Sequence, residues 1–177
     1  SLGLLGRGAE PAAPALCRAL GSKFPPLTVE ASEALGNIGP AAVPHLTEAL
    51  KGKDADQLRL ACYALSRIGP PGEPAIPQIV RIISERPGAT GLIGSAVHAL
   101  TSIARDRPEL LAQFAKSPQT HVRVQIAAAL EGANAPGRVA LPVLFDLLDD
   151  TETSVRLAAV HALGNLRPGA SNVIEKL

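Results

Sequence analysis

Four histidines, His45, His98, His121 and His161, carry the ready acid–base chemistry of this 177-residue chain near neutral pH, and Cys17 and Cys62 are its two thiols. Two cysteines make neither a disulfide framework nor a metal cluster, and they read as buried free thiols. His98 and His161 share a register, each two residues before the leucine of an Ala-Leu pair. If the units holding them stack at roughly 10 Å, the two rings lie about 20 Å apart. They cannot share one zinc, whose nitrogen ligands sit about 2 Å away. No Gly-x-Ser-x-Gly nucleophile signature occurs, and no Gly-rich phosphate loop follows a strand. The residue types that do chemistry are therefore scattered, with no catalytic, cofactor-binding or metal-ligating set among them.

The elements that position these residues repeat. The stretch Thr153 to Leu166, TSVRLAAVHALGNL, has counterparts whose aligned leucines are Leu35, Leu65, Leu100, Leu130 and Leu163, and Leu2 stands in the same place at the front. The intervals are 33, 30, 35, 30 and 33 residues. Such a period marks a stacked array whose units bury their apolar faces only against one another. Each unit reads as two helices. The first, outer helix follows a Pro-rich opening, as in Pro11 to Leu20, Ala41 to Leu50, Pro74 to Ile83 and Val139 to Leu148. Proline is tolerated in a first helical turn, where its missing N–H has no intrahelical acceptor to lose.

The second helix holds the aligned leucine. Four residues before it come Ala31, Ala61, Ala96, Ile126 and Ala159; one before, Ala34, Ala64, Ala99, Ala129 and Ala162; three after, Ile38, Ile68, Ile103, Ala133 and Leu166. That is the i, i+3, i+4, i+7 pattern of one buried face. Gly39-Pro40 and Gly69-Pro70 are stop signals. Asp54, Ser117 to Thr120 and Thr151 to Ser154 supply N-cap candidates. The third unit has Gly91 and Gly94 near the start of its second helix, predicting a longer loop and a weaker helix. The fourth lacks the outer-helix proline. Ala170 to Leu177 resembles the first turns of one more outer helix.

The predicted fold is all-α: a right-handed α-solenoid of about five helical hairpins, one domain over residues 1–177, with partial repeats at both ends. Both ends lack polar capping repeats, so a fragment of a longer array, or ends covered by another chain, is expected. Hydrophobic residues make up 46% and aromatics only 2%, so the core must be small and aliphatic. The formal charge of +1, from 17 basic and 16 acidic residues, removes the general electrostatic argument for nucleic acid or an anionic membrane. No run reaches the roughly 18 apolar residues of a membrane span and no signal peptide is visible. The compartment is left open, the cytoplasm being favoured.

Val155-Arg156-Leu-Ala-Ala159 and Ala162-Leu163-Gly164-Asn-Leu166, with the linker Gly39-Pro40-Ala-Ala-Val-Pro44, resemble HEAT repeats of the short bacterial type, and more narrowly the phycobilisome-lyase HEAT-like class. The resemblance covers nearly the whole chain. It implies that the second helices line a concave surface, and that an Asp before the second helix pairs with an Arg near its start in a ladder between repeats. On this pattern Asp150 fits with Arg156, and Asp54 or Asp56 fits approximately with Arg59. Arg123 has no matching Asp, and Thr28 interrupts the row. The arginines read either as a basic binding stripe or as partners of the preceding turn. The second reading is favoured because the spacing repeats with the fold. Di-iron hydroxylases of HEAT-like architecture carry His-Glu pairs, which this chain lacks. Alkylpurine DNA glycosylases of related build need a basic, aromatic groove, which its composition disfavours.

What is left for function is a surface: Glu30, Glu33, Asn37, Tyr63, Arg67, His98, Ser102, Gln125, His161 and Asn165 on the second helices. Tyr63, the single tyrosine, is either a contact anchor or a partly buried core ring. The leading expectation is a non-enzymatic interaction module that binds another protein, or another domain of its own chain, on the concave face without a cofactor. A bilin-lyase-like subunit acting on a phycobiliprotein chromophore is the alternative, resting on analogy. A nucleic-acid binder is a third, and self-association through uncapped ends is a further possibility for the partner.

Overall fold

The computed structural model describes residues 6–132 and 140–165, with side chains from residue 9 onward. The partial copy at Leu2, the positions Ala133, Val139 and Leu166, and the segment 170–177 lie outside the described residues. Among the described residues all regular structure is helical. The chain divides into two compact units, Ser1–Ile103 and Ala104–Leu177. The division falls where Ala104-Arg105 replaces the Gly-Pro of earlier repeats.

Unit 1 holds three helical hairpins. The outer helices are α1 (Ala13–Ala19), α3 (Val43–Ala49) and α5 (Ile76–Glu85); the second helices are α2 (Pro25–Ile38), α4 (Ala55–Ile68) and α6 (Thr90–Ile103). The Pro-rich openings form short 3-10 segments, Gly6–Ala12, Gly39–Ala42 and Pro70–Ala75, that lead into the outer helices. α4 packs between α2 and α6, while α1 rests on α2, α3 on α4 and α5 on α6. Gly39 and Gly69 end α2 and α4 with φ of +79° and +72°, a region that strains any residue with a Cβ. The Asp54 carboxylate caps α4 by accepting from the Gln57 backbone N–H at 2.8 Å.

The core is the aligned aliphatic set. Leu35, Leu65 and Leu100 are fully buried, as are Ala61, Ala64, Ala96 and Ala99, while Ile68 is half-buried. Each fully buried leucine contributes about 1.5–3 kcal/mol over an exposed one. The third hairpin departs from the sequence expectation. Its connecting segment, residues 86–89, is no longer than the one before α4, and α6 runs 14 residues, as α2 and α4 do. The extra residues extend the outer helix instead: α5 has 10 residues against 7 for α1 and α3. Its buried Ile79, Ile82 and Ile83 keep that added length on the apolar stripe.

Unit 2 contains α7 (Glu109–Ala112) running into the 3-10 segment Gln113–Lys116, then α8 (Thr120–Glu131), α9 (Ala140–Leu148) and α10 (Thr153–Asn165). Without the outer-helix proline, α7 is a single turn. α10 packs along α8 and against α9. Ile126, Ala129, Leu130, Ala159 and Ala162 are buried, and Leu163 is half-buried. The N-cap position of α8 is Gln119, without a side-chain cap, while Ser117 Oγ accepts from the Gln119 N–H.

Candidate functional site

A second helix in this chain shows three stripes, set by the 3.6-residue turn. Positions −4, −1, 0 and +3 from the aligned leucine form the core. Positions −5, −2 and +2 look toward the preceding second helix, and −6, −3 and +1 toward the following one. In unit 1 the backward-looking stripe carries Glu30, Glu33 and Asn37 on α2, Tyr63 and Arg67 on α4, and His98 on α6. All are exposed except Glu33, which is half-buried. Tyr63 is 38% exposed, so its ring is not a core ring. It shares its register with Glu33 on one neighbouring helix and His98 on the other.

Arg67 Nη2 donates to Asn37 Oδ1 at 2.9 Å, joining α4 to α2 at the surface. The arginine stem lies over Gly36, where an added Cβ would fall 2.9 Å from Arg67 Cβ and Nε. Glycine is needed here for close approach rather than for its backbone angles. Ser102 does not belong to the exposed row. It is 5% exposed, because the end of α6 lies against the 69–72 turn: a Cβ on Gly69 would come 3.7 Å from the Ser102 carbonyl, and one on Gly72 would meet the Ile103 side chain.

In unit 2, Gln125 on α8 is half-buried, and His161 and Asn165 on α10 are exposed. Both α10 residues converge on Glu131, which the sequence reading had not singled out. His161 Nδ1 stands 3.1 Å from Glu131 Oε2, and Asn165 Nδ2 donates to Glu131 Oε1 at 2.9 Å. Glu131 lies one past Leu130, in the forward-looking stripe of α8, and sorting the sequence by stripe would have found it.

The arginine ladder differs from the expected one. Arg123 has an aspartate after all: its Nε and Nη2 donate to the two carboxylate oxygens of Asp150 at 2.7 and 2.8 Å, and its Nη1 donates to the Ser117 carbonyl. The partner lies 27 residues onward, in the turn of the next hairpin. Both side chains are nearly buried, at 12% and 11% exposure. The bidentate bond to Arg123 holds the Asp150 carboxyl below the usual carboxylate range and raises Arg123. A groove of about 560 Å³ opens beside the pair, lined among others by Lys116, Asp146 and Asp149.

Arg156, expected on the Asp150 carboxylate, instead donates to the Asp150 and Thr151 carbonyls and to Thr153 Oγ1. Asp150's oxygens are already taken by Arg123. Arg59 meets only Asp56, at 3.5 Å in solvent, because Asp54 is occupied as the α4 cap. Its register explains the weakness: Arg123 and Arg156 stand seven before the aligned leucine, Arg59 six before it. Buried Leu58 holds the seventh place.

His45 and His121 are half-buried. Among the described residues no three His, Cys, Asp or Glu side chains gather as metal ligands, and no helix is long and apolar enough to cross a membrane. Cys17 and Cys62 are buried free thiols, pushed up to about 11 and about 12 by burial.

Stacked helical hairpins with a short repeat place the chain among the α-solenoids. It contains repeats of the HEAT kind: residues 107–177 match HEAT repeats, and residues 29–52 match the PBS lyase HEAT-like repeat. No curated protein matches the chain. Among solved structures it is similar to the complex of CpcE and CpcF of phycocyanin lyase from Nostoc sp. PCC7120, with 20% identity, TM-score 0.57, and coverage of 86% of this chain and 98% of that one. It is also similar to a designed armadillo repeat protein in complex with the peptide (KR)4, with 17% identity, TM-score 0.49, and coverage of 94% and 89%. At these identities the likeness is one of fold.

Proposed function

We propose that the protein is a non-enzymatic interaction module that holds a partner polypeptide on the exposed row of its second helices. In unit 1 the row is Glu30, Glu33, Asn37, Tyr63, Arg67 and His98. Gln125, His161 and Asn165 hold the same register positions on the second helices of unit 2, as a row of their own, and Ser102 is left out. The observation that carries the reading is Tyr63. An exposed aromatic ring stands between an acid and an imidazole at one register of three adjacent helices, beside an arginine already held by Asn37. Tyrosine and arginine are the residue types enriched among binding anchors. A side chain fixed before binding loses less entropy on association.

The test is site-specific cross-linking in the whole protein, with a photoreactive phenylalanine analogue at position 63 or 98 and, as control, at exposed Glu48 on α3. The reading expects one partner protein captured from 63 and 98 but not from 48, and lost with Arg67→Ala. Equal capture from all three positions, or none from the row, would count against it. The second reading, a lyase-like subunit acting on a bilin, draws its support from the PBS lyase HEAT-like match at residues 29–52. An absorbance change on mixing the chain with a free bilin would favour it. A salt-dependent gel shift would favour nucleic acid instead.

A further inference from the structure

In unit 1 the row of second-helix residues is sorted by charge and by hydrogen-bonding group. At the position two before the aligned leucine, α2, α4 and α6 carry Glu33, Tyr63 and His98 in that order, and α4 packs between its two neighbours. Glu30 adds a second carboxylate on α2, about one turn away. Glu33 is half-buried and the other three are exposed, and none of their side chains has a hydrogen bond or ion pair among the described residues. Acid, ring and imidazole thus stand one to a helix, unused within the chain. A set of donors flanks them. Arg67 Nη2 is spent on Asn37 Oδ1, which leaves Arg67 Nη1 and the Asn37 amide N–H without acceptors among the described residues. Both residues stand four positions, about 6 Å, along their helices from the Glu33–Tyr63 level.

Spacing selects what can use this row. Packed helices lie roughly 8–10 Å apart, so a ligand crossing α2, α4 and α6 meets the row at intervals of that length. A β-strand returns a side chain to one face every ~7 Å and is out of step by the third helix. A polyproline II segment has three residues per turn and a rise of about 3.1 Å, so its residues i, i+3 and i+6 line one edge at intervals of about 9 Å. An α-helix also comes close, with i and i+7 about 10.5 Å apart, but its carbonyls are taken by its own N–H groups. Polyproline II makes no internal hydrogen bonds and leaves its carbonyls open to Arg67 and Asn37.

We propose that the unit 1 row takes a polyproline II segment of a partner polypeptide, with a basic side chain at i, a proline or apolar side chain at i+3 and an acidic one at i+6. The basic group lies against Glu30 and Glu33, and the middle residue packs on the Tyr63 ring. The carboxylate accepts an imidazole N–H of His98, which a neutral ring supplies as well as a charged one. Backbone carbonyls beside the middle residue accept from Arg67 Nη1 and Asn37 Nδ2. Proline suits the site because a segment that is already extended loses little entropy on docking. This names the class of partner for the row described under the proposed function, and it rests on that reading.

The experiment is fluorescence anisotropy at low salt, with the whole protein and a labelled, blocked peptide of lysine, five prolines and glutamate. Its control has six prolines, which keeps both charges and turns the glutamate a third of a turn off the edge. Saturable binding is expected for the first peptide, weakened about tenfold or more in the control, and to a similar degree by Tyr63→Ala or Glu33→Gln. Tyr63 is exposed, so its truncation should leave the unfolding midpoint nearly unchanged. Equal binding of the two peptides, binding indifferent to both substitutions, or no saturable binding overturns the proposal. So does tighter binding of a helical peptide with the same charges about fourteen residues apart. A partner cross-linked from positions 63 and 98 in a protein that ignores the peptide would leave the interaction module standing without this ligand, and failure of both would remove the two together.

Discussion

Replacing Asp150 with Asn keeps the shape of the Arg123 clamp and removes its charge. The wild-type pair makes two charge-assisted bonds of 2.7 and 2.8 Å between side chains only 12% and 11% exposed. Breaking a fully buried pair leaves an uncompensated ion and destabilises by about 3–5 kcal/mol. Residual exposure, and the Ser117 carbonyl still held by Arg123, lower this to roughly 2–4 kcal/mol. For a chain of this size the midpoint should fall by on the order of 5–10 °C. The loss should appear in unit 2, as faster exchange of α8 and α10 amides. The pH dependence has a definite sign. Asp150 titrates below the usual value of about 3.9 when folded, so its contribution is complete above that value. It is lost as pH falls through the lower folded value, where Asp150→Asn and wild type should converge. A difference that persists unchanged after Asp150 protonates, or a double-mutant cycle of Asp150→Asn with Arg123→Gln showing no coupling, would refute the clamp.

Arg156→Ala removes three donors to the turn before α10 and should destabilise by about 1–2 kcal/mol, read by urea unfolding of the whole chain. Gly36 and Gly164 share a register but should respond oppositely to alanine. Gly164→Ala gains up to about 1 kcal/mol of helix propensity in open space, whereas Gly36→Ala drives a methyl into Arg67 and lowers the unfolding midpoint despite the same intrinsic gain. Cys17 and Cys62, with pKa values pushed up to about 11 and about 12 by burial, should resist alkylation at pH 8 in the folded protein and react at once in denaturant. Faster labelling of the native chain would show that the hairpins open locally.

The legible part of this chain is what every copy must do alike. Leu35, Leu65, Leu100 and Leu130 face the interior in each hairpin, so their spacing survives in sequence as a period, and the buried alanines beside them follow. Gly39 and Gly69 were legible for the same reason: one backbone angle recurs. The third hairpin was misread because glycine propensity was weighed without packing. Gly91 and Gly94 weaken an isolated helix, yet α6 is held full length by buried Leu92, Ile93, Ala96, Ala99 and Leu100. Propensity differences of about 1 kcal/mol per glycine yield to that much apolar burial.

The side-chain connections between hairpins were harder to read, because they join residues about one repeat apart. The expected ladder paired an arginine near the start of a second helix with an aspartate three to six residues before it. The observed one spans 27 residues, from Arg123 to the next turn, and a local pattern search does not look that far. The same holds for Asn37 with Arg67 and Glu131 with Asn165, separated by 30 and 34 residues, close to one repeat. Asn37 and Arg67 hold one register on successive second helices, whereas Glu131 faces forward from α8 to meet Asn165, which faces back from α10. Where the forward stripe ends in glutamate, as on α8, the answering residues are His161 and Asn165. Different surface pairs thus mark the α2–α4 and α8–α10 junctions. The buried leucines cannot do this, since they are alike in every copy.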